Sequence, residues 1–86
     1  MNEKELYSIL GYVKVSKYRT HTLKTIGHAY KMPTEIARET EFKTSQVSTA
    51  LIDLKKKNLV ICLNEDAKKG RLYRCTELGH EILEHL

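Results

Sequence analysis

The sequence predicts an α+β fold that is mostly helical and carries one two-stranded β-hairpin. Apolar residues recur at helical spacing in several short segments, and a tight turn at 41–43 joins two of these segments. Two strand segments then follow, the first of them rich in Leu, Val and Ile. They flank a polar loop that contains Gly70. A chain of 86 residues is enough for one small core, so residues 1–86 are expected to form a single domain.

The positive charge is concentrated in the middle of the chain. Lys and Arg number 15 against 11 Asp and Glu, which gives a formal net charge of +4. Between Lys43 and Arg74 eight bases accompany three acids, whereas Thr76–Leu86 holds three glutamates and no Lys or Arg. A basic region of this kind favours a polyanion as partner, although a solvated charged surface explains the same pattern.

The N-terminus lacks the features of a targeting segment. Met1 is followed by polar and charged residues rather than by an apolar run, and no stretch approaches the roughly 18 apolar residues of a membrane span. The expectation is therefore a cytoplasmic protein with no membrane partner. In that compartment Cys62 and Cys75 are expected to stay reduced.

Two helices are predicted before the single proline, Pro33. Residues 1–15 carry one apolar stripe at helical spacing, formed by Leu6, Ile9, Leu10 and Val13. A second helix is predicted from Lys17 to about Tyr30, with Ser16 as its N-cap. Its inward-facing residues are expected to be Leu23, Ile26 and Tyr30.

A short helix is predicted next to that proline. Pro33 disfavours the helical conformation in the residue before it, so a helix boundary is expected here. Thr34 is the predicted N-cap of a helix over Glu35–Thr40. Its inward residues are expected to be Ile36 and Ala37, and the small alanine allows the next helix to approach closely.

A longer helix follows the turn at 41–43, in which Phe42 is expected to fill the corner. Thr44 is the predicted N-cap of this helix, which is expected to span Ser45–Lys57. Its buried face is predicted to consist of Val47, Ala50, Leu51 and Leu54. Asn58 is predicted to adopt a left-handed conformation that ends the helix.

A hairpin is predicted over residues 59–76, followed by a C-terminal helix over residues 77–86. The expected strands are Leu59–Asn64 and Arg71–Thr76, and the expected loop is Glu65–Gly70. Thr76 is the predicted N-cap of the last helix. A helix-turn-helix at residues 33–57 followed by such a hairpin is the layout of a winged helix-turn-helix.

This layout indicates which side chains face DNA. The second helix of a helix-turn-helix enters the major groove with its first residues at the base edges. Ser, Thr and Gln bond to base edges, and Thr or Ile contacts a thymine methyl. The residues predicted to read bases are Ser45, Gln46, Ser48, Thr49 and Ile52. The residues predicted to contact phosphates directly or from the wing are Lys43, Thr44, Lys55, Lys56, Lys68, Lys69 and Arg71.

Simpler explanations of the same residues stay open. Ser, Thr and Gln are ordinary on any solvated helix face, and capping alone accounts for Thr44. Lysines at a hairpin tip such as Lys68 and Lys69 also protect an edge from aggregation.

Five short motifs occur in a fixed order along residues 33–79. They are Pro33-Thr34-Glu35-Ile36-Ala37, Val47-Ser48-x-Ala50-Leu51-x-x-Leu54, Leu59-Val60, Lys69-Gly70-Arg71-Leu72-Tyr73 and Thr76-x-x-Gly79. In this order, and with Ser16-x-Tyr18-Arg19 ahead of them, the motifs resemble the winged-helix regulators of the MarR/ArsR type, particularly compact archaeal ones.

The resemblance implies sequence-specific binding of double-stranded DNA by a homodimer on a two-fold symmetric site. In such proteins the helix matching Ser45–Lys57 reads bases, and the loop matching Glu65–Gly70 is the wing. The chain departs from full-length MarR proteins in its shorter terminal helices, so no small-molecule effector is expected. Asn58 stands where the family usually has Gly, and Cys75 stands where it usually has Leu.

The dimer is expected to form through the N-terminal helix, the C-terminal helix or both. Tyr7, Tyr12 and Tyr18 lie near the N-terminus with several aliphatic residues and are candidates for the seam. The alternative is that the first helix only covers the domain core. A palindromic site favours a dimer because the contacts of two half-sites then add.

Catalysis, a cofactor and a bound metal are not expected, because the four histidines are scattered and no Gly-rich phosphate loop occurs. One alternative function is a winged-helix protein–protein interaction module of the transcription machinery, for which Ile52 on the outward helix face argues. Another is a metal- or redox-responsive regulator, since the two cysteines fall on adjacent strands and Glu81 and His85 lie one helical turn apart. RNA binding is a weaker option, because this face lacks aromatic platforms.

Overall fold

The structure, a computed structural model, describes residues 2–86. Its elements in chain order are α1 (Glu3–Lys14), α2 (Lys17–Ile26), α3 (Pro33–Thr40), α4 (Thr44–Lys56), β1 (Val60–Cys62), β2 (Tyr73–Cys75) and α5 (Glu77–Glu84). The predicted α+β class, mostly helical with one antiparallel hairpin, is confirmed. Within the described residues no helix has both the length and the apolar character needed to cross a membrane.

Helix α2 lies at the centre and packs against the four other helices and against β2. Every helix and the hairpin contribute apolar side chains to one core. Its members are Leu10, Val13, Leu23, Ile26, Ile36, Val47, Leu51, Leu54, Leu59, Val60, Cys75 and Ile82. The predicted buried faces of α3 and α4 are thereby confirmed, with Ile36, Val47 and Leu54 fully buried.

Helix α2 is shorter than predicted. It ends at Ile26 rather than near Tyr30, and Gly27 follows with a φ of 51°. The Gly27 N–H still donates to the Leu23 carbonyl at 3.0 Å, after which the chain turns away. Glycine adopts a positive φ at little cost, so it ends the helix here. The predicted inward position of Tyr30 is therefore wrong, and this side chain is 62% exposed.

Two of the four predicted N-caps are confirmed. The Ser16 hydroxyl accepts from the Arg19 N–H at 3.2 Å, and the Thr76 hydroxyl accepts from the Gly79 N–H at 3.0 Å. Asn58 has a φ of 59°, so its predicted left-handed conformation is confirmed as well.

The N-caps predicted at Thr34 and Thr44 are wrong, because both residues lie inside the first turn of their helices. Helix α3 begins at Pro33, which suits the first helical position because its missing N–H has no partner there. In both helices a side chain three residues beyond the cap accepts from the N–H of the cap residue. These pairs are Met32 N–H to Glu35 at 2.8 Å and Lys43 N–H to Gln46 at 2.9 Å.

The hairpin strands have three residues each and are shorter than predicted. Val60 pairs with Cys75, and Cys62 pairs with Tyr73. Tyr73 also exchanges two backbone hydrogen bonds of 2.9 Å with Lys31 in the connection between α2 and α3. The base of the hairpin is therefore held by the helical part of the domain.

Candidate nucleic-acid interface

A groove of about 480 Å³ runs between α4 and the loop that joins the two strands. Thr44, Ser48 and Ile52 of α4 form one wall, at the i, i+4 spacing of a single helix face. The opposite wall is the tip of the loop, with Lys68, Lys69, Gly70 and Arg71. The remaining lining residues are Met32, Pro33, Thr34, Leu51 and Tyr73. The structure thus brings a polar helix face and a cationic loop to the same side of the molecule.

The residues predicted to read bases are divided between two faces of α4. Ser48 and Ile52 face the groove, and Ile52 is 57% exposed. Ser45, Gln46 and Thr49 instead line a recess of about 280 Å³ between α4 and the N-terminal end of α2.

Gln46 holds the start of α4 in place. Its Oε1 accepts from the Lys43 N–H at 2.9 Å, and its Nε2 donates to the Tyr18 hydroxyl at 3.0 Å. The Tyr18 ring packs edge-on against Phe42 with centroids 4.8 Å apart, so the predicted corner residue joins the same cluster. Both ends of the Gln46 amide are therefore engaged within the protein. No sequence pattern indicates this role, because Tyr18 lies on a different helix.

The loop between the strands is shaped by Asn64 and Arg71. The Asn64 side chain accepts from the Leu72 N–H at 2.7 Å and donates to the Gly70 carbonyl at 3.0 Å. The Arg71 guanidinium donates to the carbonyls of Ala67 at 2.7 Å and Glu65 at 2.9 Å. Arg71 thus braces the loop as well as lining the groove. The sequence pattern did not predict this role of Asn64, although asparagine side chains often bond to nearby backbone groups in turns.

The predicted cationic residues differ in whether they form ion pairs and in where they lie. Lys68 and Lys69 are exposed at the loop tip, and neither enters an ion pair with any residue of 2–86. Lys55 pairs with Glu65, and this hydrogen-bonded contact raises the pKa of Lys55 and lowers the pKa of Glu65. Lys43 is exposed at the start of α4. Lys56 lines a different recess, between α1 and the C-terminal end of α4, and does not line the groove.

The two cysteines do not form a reactive pair. They are free and lie on adjacent strands, but Cys62 is opposite Tyr73 rather than opposite Cys75. Burial raises the pKa of the Cys75 thiol to about 11, so this group holds its proton and is a poor nucleophile. In the part of the chain that the structure describes, no three His, Cys, Asp or Glu side chains form a group suited to a metal ion.

Comparison with known proteins identifies the fold. No protein-family model matches the sequence, and no curated protein matches it significantly. Among solved structures the chain is similar to reduced HlyU from Vibrio cholerae, with a TM-score of 0.71 and 21% sequence identity. The match covers 100% of this chain and 94% of that one. With the order of helices and strands described above, this likeness shows that the protein has a winged-helix fold.

Proposed function

We propose that this protein is a transcriptional regulator that binds double-stranded DNA sequence-specifically. The observation that carries the proposal is the groove in which the exposed polar face of α4 meets the cationic loop tip, here called the wing tip (residues 64–71). A helix inserted in the major groove has phosphates on both sides, and a basic loop beside that helix reaches them.

Each part of this surface has its own role in the proposal. Base edges are contacted by Ser48 and Ile52 of the groove and by the exposed Ser45 and Thr49 on the adjacent side of α4. Their short side chains allow α4 to lie close to the floor of the major groove. Phosphates and the edge of the minor groove are contacted by a larger set of side chains around α4 and the wing tip. That set is Lys43, Thr44, Lys55, Lys68, Lys69 and Arg71.

Gln46 takes a positioning role in this proposal rather than the base-reading role that its residue type suggests. A bidentate contact to adenine needs both the oxygen and the nitrogen of the amide. In the free protein these atoms bond to Lys43 and Tyr18. The bonds fix the angle at which α4 leaves the turn, and the angle sets which of its side chains reach the bases.

The protein is proposed to act as a homodimer formed through α1, α5 or both. Tyr7 of α1 is 57% exposed, and its ring contacts His85, just beyond α5, at 6.3 Å between centroids. Leu83 and Leu86 pack only partly against the core nearby. Sedimentation at a protein concentration on the order of 100 μM tests this part, and a monomer there contradicts it.

The test of DNA binding is the affinity for a random duplex across a salt series. Wild type is expected to bind more weakly as salt rises, and steeply so, because each phosphate contact releases counterions. The double variant Lys68→Ala, Lys69→Ala is expected to lower the log–log slope by up to about two units, since each neutralised phosphate accounts for roughly 0.9 of that slope.

The matched control is Lys4→Ala, Lys14→Ala, which removes the same charge from α1, away from the groove. Its slope is expected to stay close to that of wild type. No binding of wild type at about 50 mM salt, where non-specific contact registers, would contradict the proposal. An equal slope change in both double variants would contradict the wing assignment.

A second candidate is a protein–protein interaction module, which one observation favours. The groove contains apolar as well as polar surface, with the exposed Ile52 beside Leu51, Met32 and Tyr73. A protein partner uses such apolar area as an anchor, whereas DNA offers mainly the thymine methyl. Absence of DNA binding in the salt series, together with wild-type folding, would favour this candidate.

A further inference from the structure

The recess beside α4 is lined by polar side chains from two helices. It has a volume of about 280 Å³ and lies between α4 and the N-terminal end of α2. On the α2 side it is lined by Ser16 and Tyr18. The residues that line it from α4 are Ser45, Gln46, Thr49, Ala50 and Asp53. Among residues 2–86 none lines both this recess and the groove beside the wing tip, so the two are separate parts of the surface around α4.

The hydroxyl groups of α2 at the recess have hydrogens to donate. The Ser16 oxygen accepts from the Arg19 N–H at 3.2 Å, and the Tyr18 oxygen accepts from Gln46 Nε2 at 3.0 Å. Neither hydroxyl donates to an acceptor within residues 2–86, although each is able to donate as well as accept. The carboxylate in the lining, Asp53, pairs with Arg19 at 3.3 Å. The recess therefore suits a ligand that brings acceptor oxygens.

Two lysines place positive charge at this recess. Lys17 lies between the two hydroxyl residues of α2, and its Nζ is 5.3 Å from the centroid of the Tyr18 ring. Lys43 precedes α4, and its N–H donates to the Gln46 side chain of the lining. Both lysines are exposed, and neither forms an ion pair with a residue of 2–86. Helix α2 itself contains no Asp or Glu. Cations and hydroxyl donors together are the groups that contact DNA phosphates.

The recess and the groove border the exposed face of α4 on its two sides. The row that lines the groove runs from Thr44 to Ile52, and the row that lines the recess runs from Ser45 to Asp53, each in steps of four residues. The rows are offset by one residue, which is about 100° around the helix. A helix in the major groove has a phosphate strand on each side. The wing tip lies on the groove side, so the recess is left to face the other strand.

We propose that the N-terminal end of α2 binds phosphates of the second DNA strand, on the side of α4 away from the wing tip. Lys17 and Lys43 neutralise these phosphates, and the hydroxyls of Ser16 and Tyr18 donate to their oxygens. This inference rests on the proposed function and adds three residues of α2 and its N-cap to the DNA-contacting surface. With a strand held on each side, the depth and the angle of α4 in the major groove are fixed.

The test is the salt dependence of binding to a random duplex by Lys17→Ala. Its log–log slope should fall by about one unit, because each neutralised phosphate contributes roughly 0.9 to the slope. Lys17→Arg keeps the charge and should restore the slope. The matched control is Lys24→Ala, which removes an exposed lysine two turns further along the same helix, about 10 Å from Lys17 along the axis. Its slope should equal that of wild type. Because both lysines are exposed, all three variants should melt at the wild-type temperature.

The side on which Lys17 acts is tested with a duplex that wild type selects from a random pool. Ethylation of single phosphates removes their charge and should weaken wild-type binding at two clusters, one on each strand beside the major groove. Lys17→Ala should become insensitive to ethylation of one cluster. The double variant Lys68→Ala, Lys69→Ala should become insensitive to ethylation of the other.

Two results overturn the inference while the proposed function stands, because wild type still binds DNA in both. The first is a slope in Lys17→Ala that equals the slope of wild type or of Lys24→Ala. The second is loss of sensitivity to the same phosphate cluster in Lys17→Ala and in the wing variant. Absence of wild-type binding at about 50 mM salt instead removes the proposed function and this inference with it, so the two failures are distinguishable.

Discussion

The base and the tip of the wing hairpin are held in place by different kinds of interaction. At the base, Val60 and Cys75 pair across the strands and each is 1% exposed. Gly79 of α5 lies so close that an added Cβ would overlap the Leu59 carbonyl oxygen. At the wing tip, the backbone is shaped by hydrogen bonds of the half-buried Asn64 and the exposed Arg71 side chains.

This difference indicates how one short hairpin is both anchored and adaptable. Close packing at the base leaves no room for a second arrangement, because buried apolar surface and backbone contacts resist small shifts. Hydrogen bonds exposed to water contribute little net stability, since water replaces them when they break. The tip is therefore able to change shape on a partner at low cost, while the base keeps its position relative to α4.

The largest expected effect is at the base. Gly79→Ala should lower the free energy of unfolding by about 3 kcal/mol or more, the upper range for overpacking, because the atom in the way is backbone. Denaturant unfolding measures the change. The matched control is Gly11→Ala in α1, where nothing lies within 4 Å of the added Cβ. It should stabilise the chain by about 0.5–1 kcal/mol through helix propensity. Equal stability of the two variants would contradict the tight contact.

The next effect concerns the order of the wing tip. Asn64→Ala removes the side-chain hydrogen bonds to Gly70 and Leu72 and leaves the Leu72 N–H without its partner. We expect the free energy of unfolding to fall by about 1 kcal/mol, at the low end for an unpaired donor because the tip is close to water. The sharper readout is hydrogen exchange, which should speed up at Leu72 but not at Thr76, whose N–H donates to the Leu59 carbonyl at the base of the hairpin. The control is Asp66→Ala, which changes an exposed residue of the same loop. An unchanged exchange rate of the Leu72 amide in Asn64→Ala would contradict the role of Asn64 in ordering the wing tip.

A smaller effect separates the two roles of Arg71, and this prediction rests on the proposed function. Arg71→Ala should lower the salt slope of DNA binding by about one unit, the same change that we expect of Lys69→Ala. Arg71→Lys keeps the charge but has no planar fork to bond to Ala67 and Glu65. Arg71→Lys should therefore restore the salt slope of DNA binding, while the backbone amides of the loop should be less protected from hydrogen exchange than in wild type. A slope in Arg71→Lys as low as in Arg71→Ala would mean that the guanidinium shape, rather than the charge, contacts DNA.

The smallest effect is that of the ion pair between Lys55 and Glu65, which links α4 to the tip. The pair lowers the pKa of Glu65 below its ordinary value of 4.5. The stabilisation of the folded state by ionised Glu65 is therefore present above pH 4.5 and is lost as pH falls through the lowered pKa. The same pair raises the pKa of Lys55 above its ordinary value of 10.5. The stabilisation of the folded state by charged Lys55 is therefore present below pH 10.5 and is lost as pH rises through the raised pKa.

Glu65→Gln should therefore lower the melting temperature slightly at neutral pH and low salt. The difference from wild type should vanish at about 1 M salt, where exposed charges are screened within about 3 Å. It should also vanish in acid, once Glu65 is protonated in wild type. Glu81→Gln on α5 is the control, since Glu81 forms no ion pair with a residue of 2–86. A difference that persists at high salt would contradict the ion pair as its source.

Part of the candidate site was predictable and part was not. Residue type and helical spacing identified the buried face of α4 and, on its outward side, Ser48 and Ile52, which line the groove. They did not show that Gln46 bonds to Tyr18, because the partner comes from another helix. They also did not show that Lys56 lines a recess beside α1 rather than the groove. A residue on the exposed side of a helix faces whichever neighbour the fold supplies.

The helices, their order and the hairpin follow from the sequence by itself. Apolar spacing, Pro33, Asn58 and the hydroxyls of Ser16 and Thr76 act through contacts within a few residues, and local backbone energetics decide them. The tertiary structure alone decided which distant groups meet. Tyr73 pairs with the chain between α2 and α3, Gly79 packs on Leu59, and His28 contacts His80. These contacts depend on the relative placement of whole helices, which the packing of one shared core sets and which no local pattern encodes.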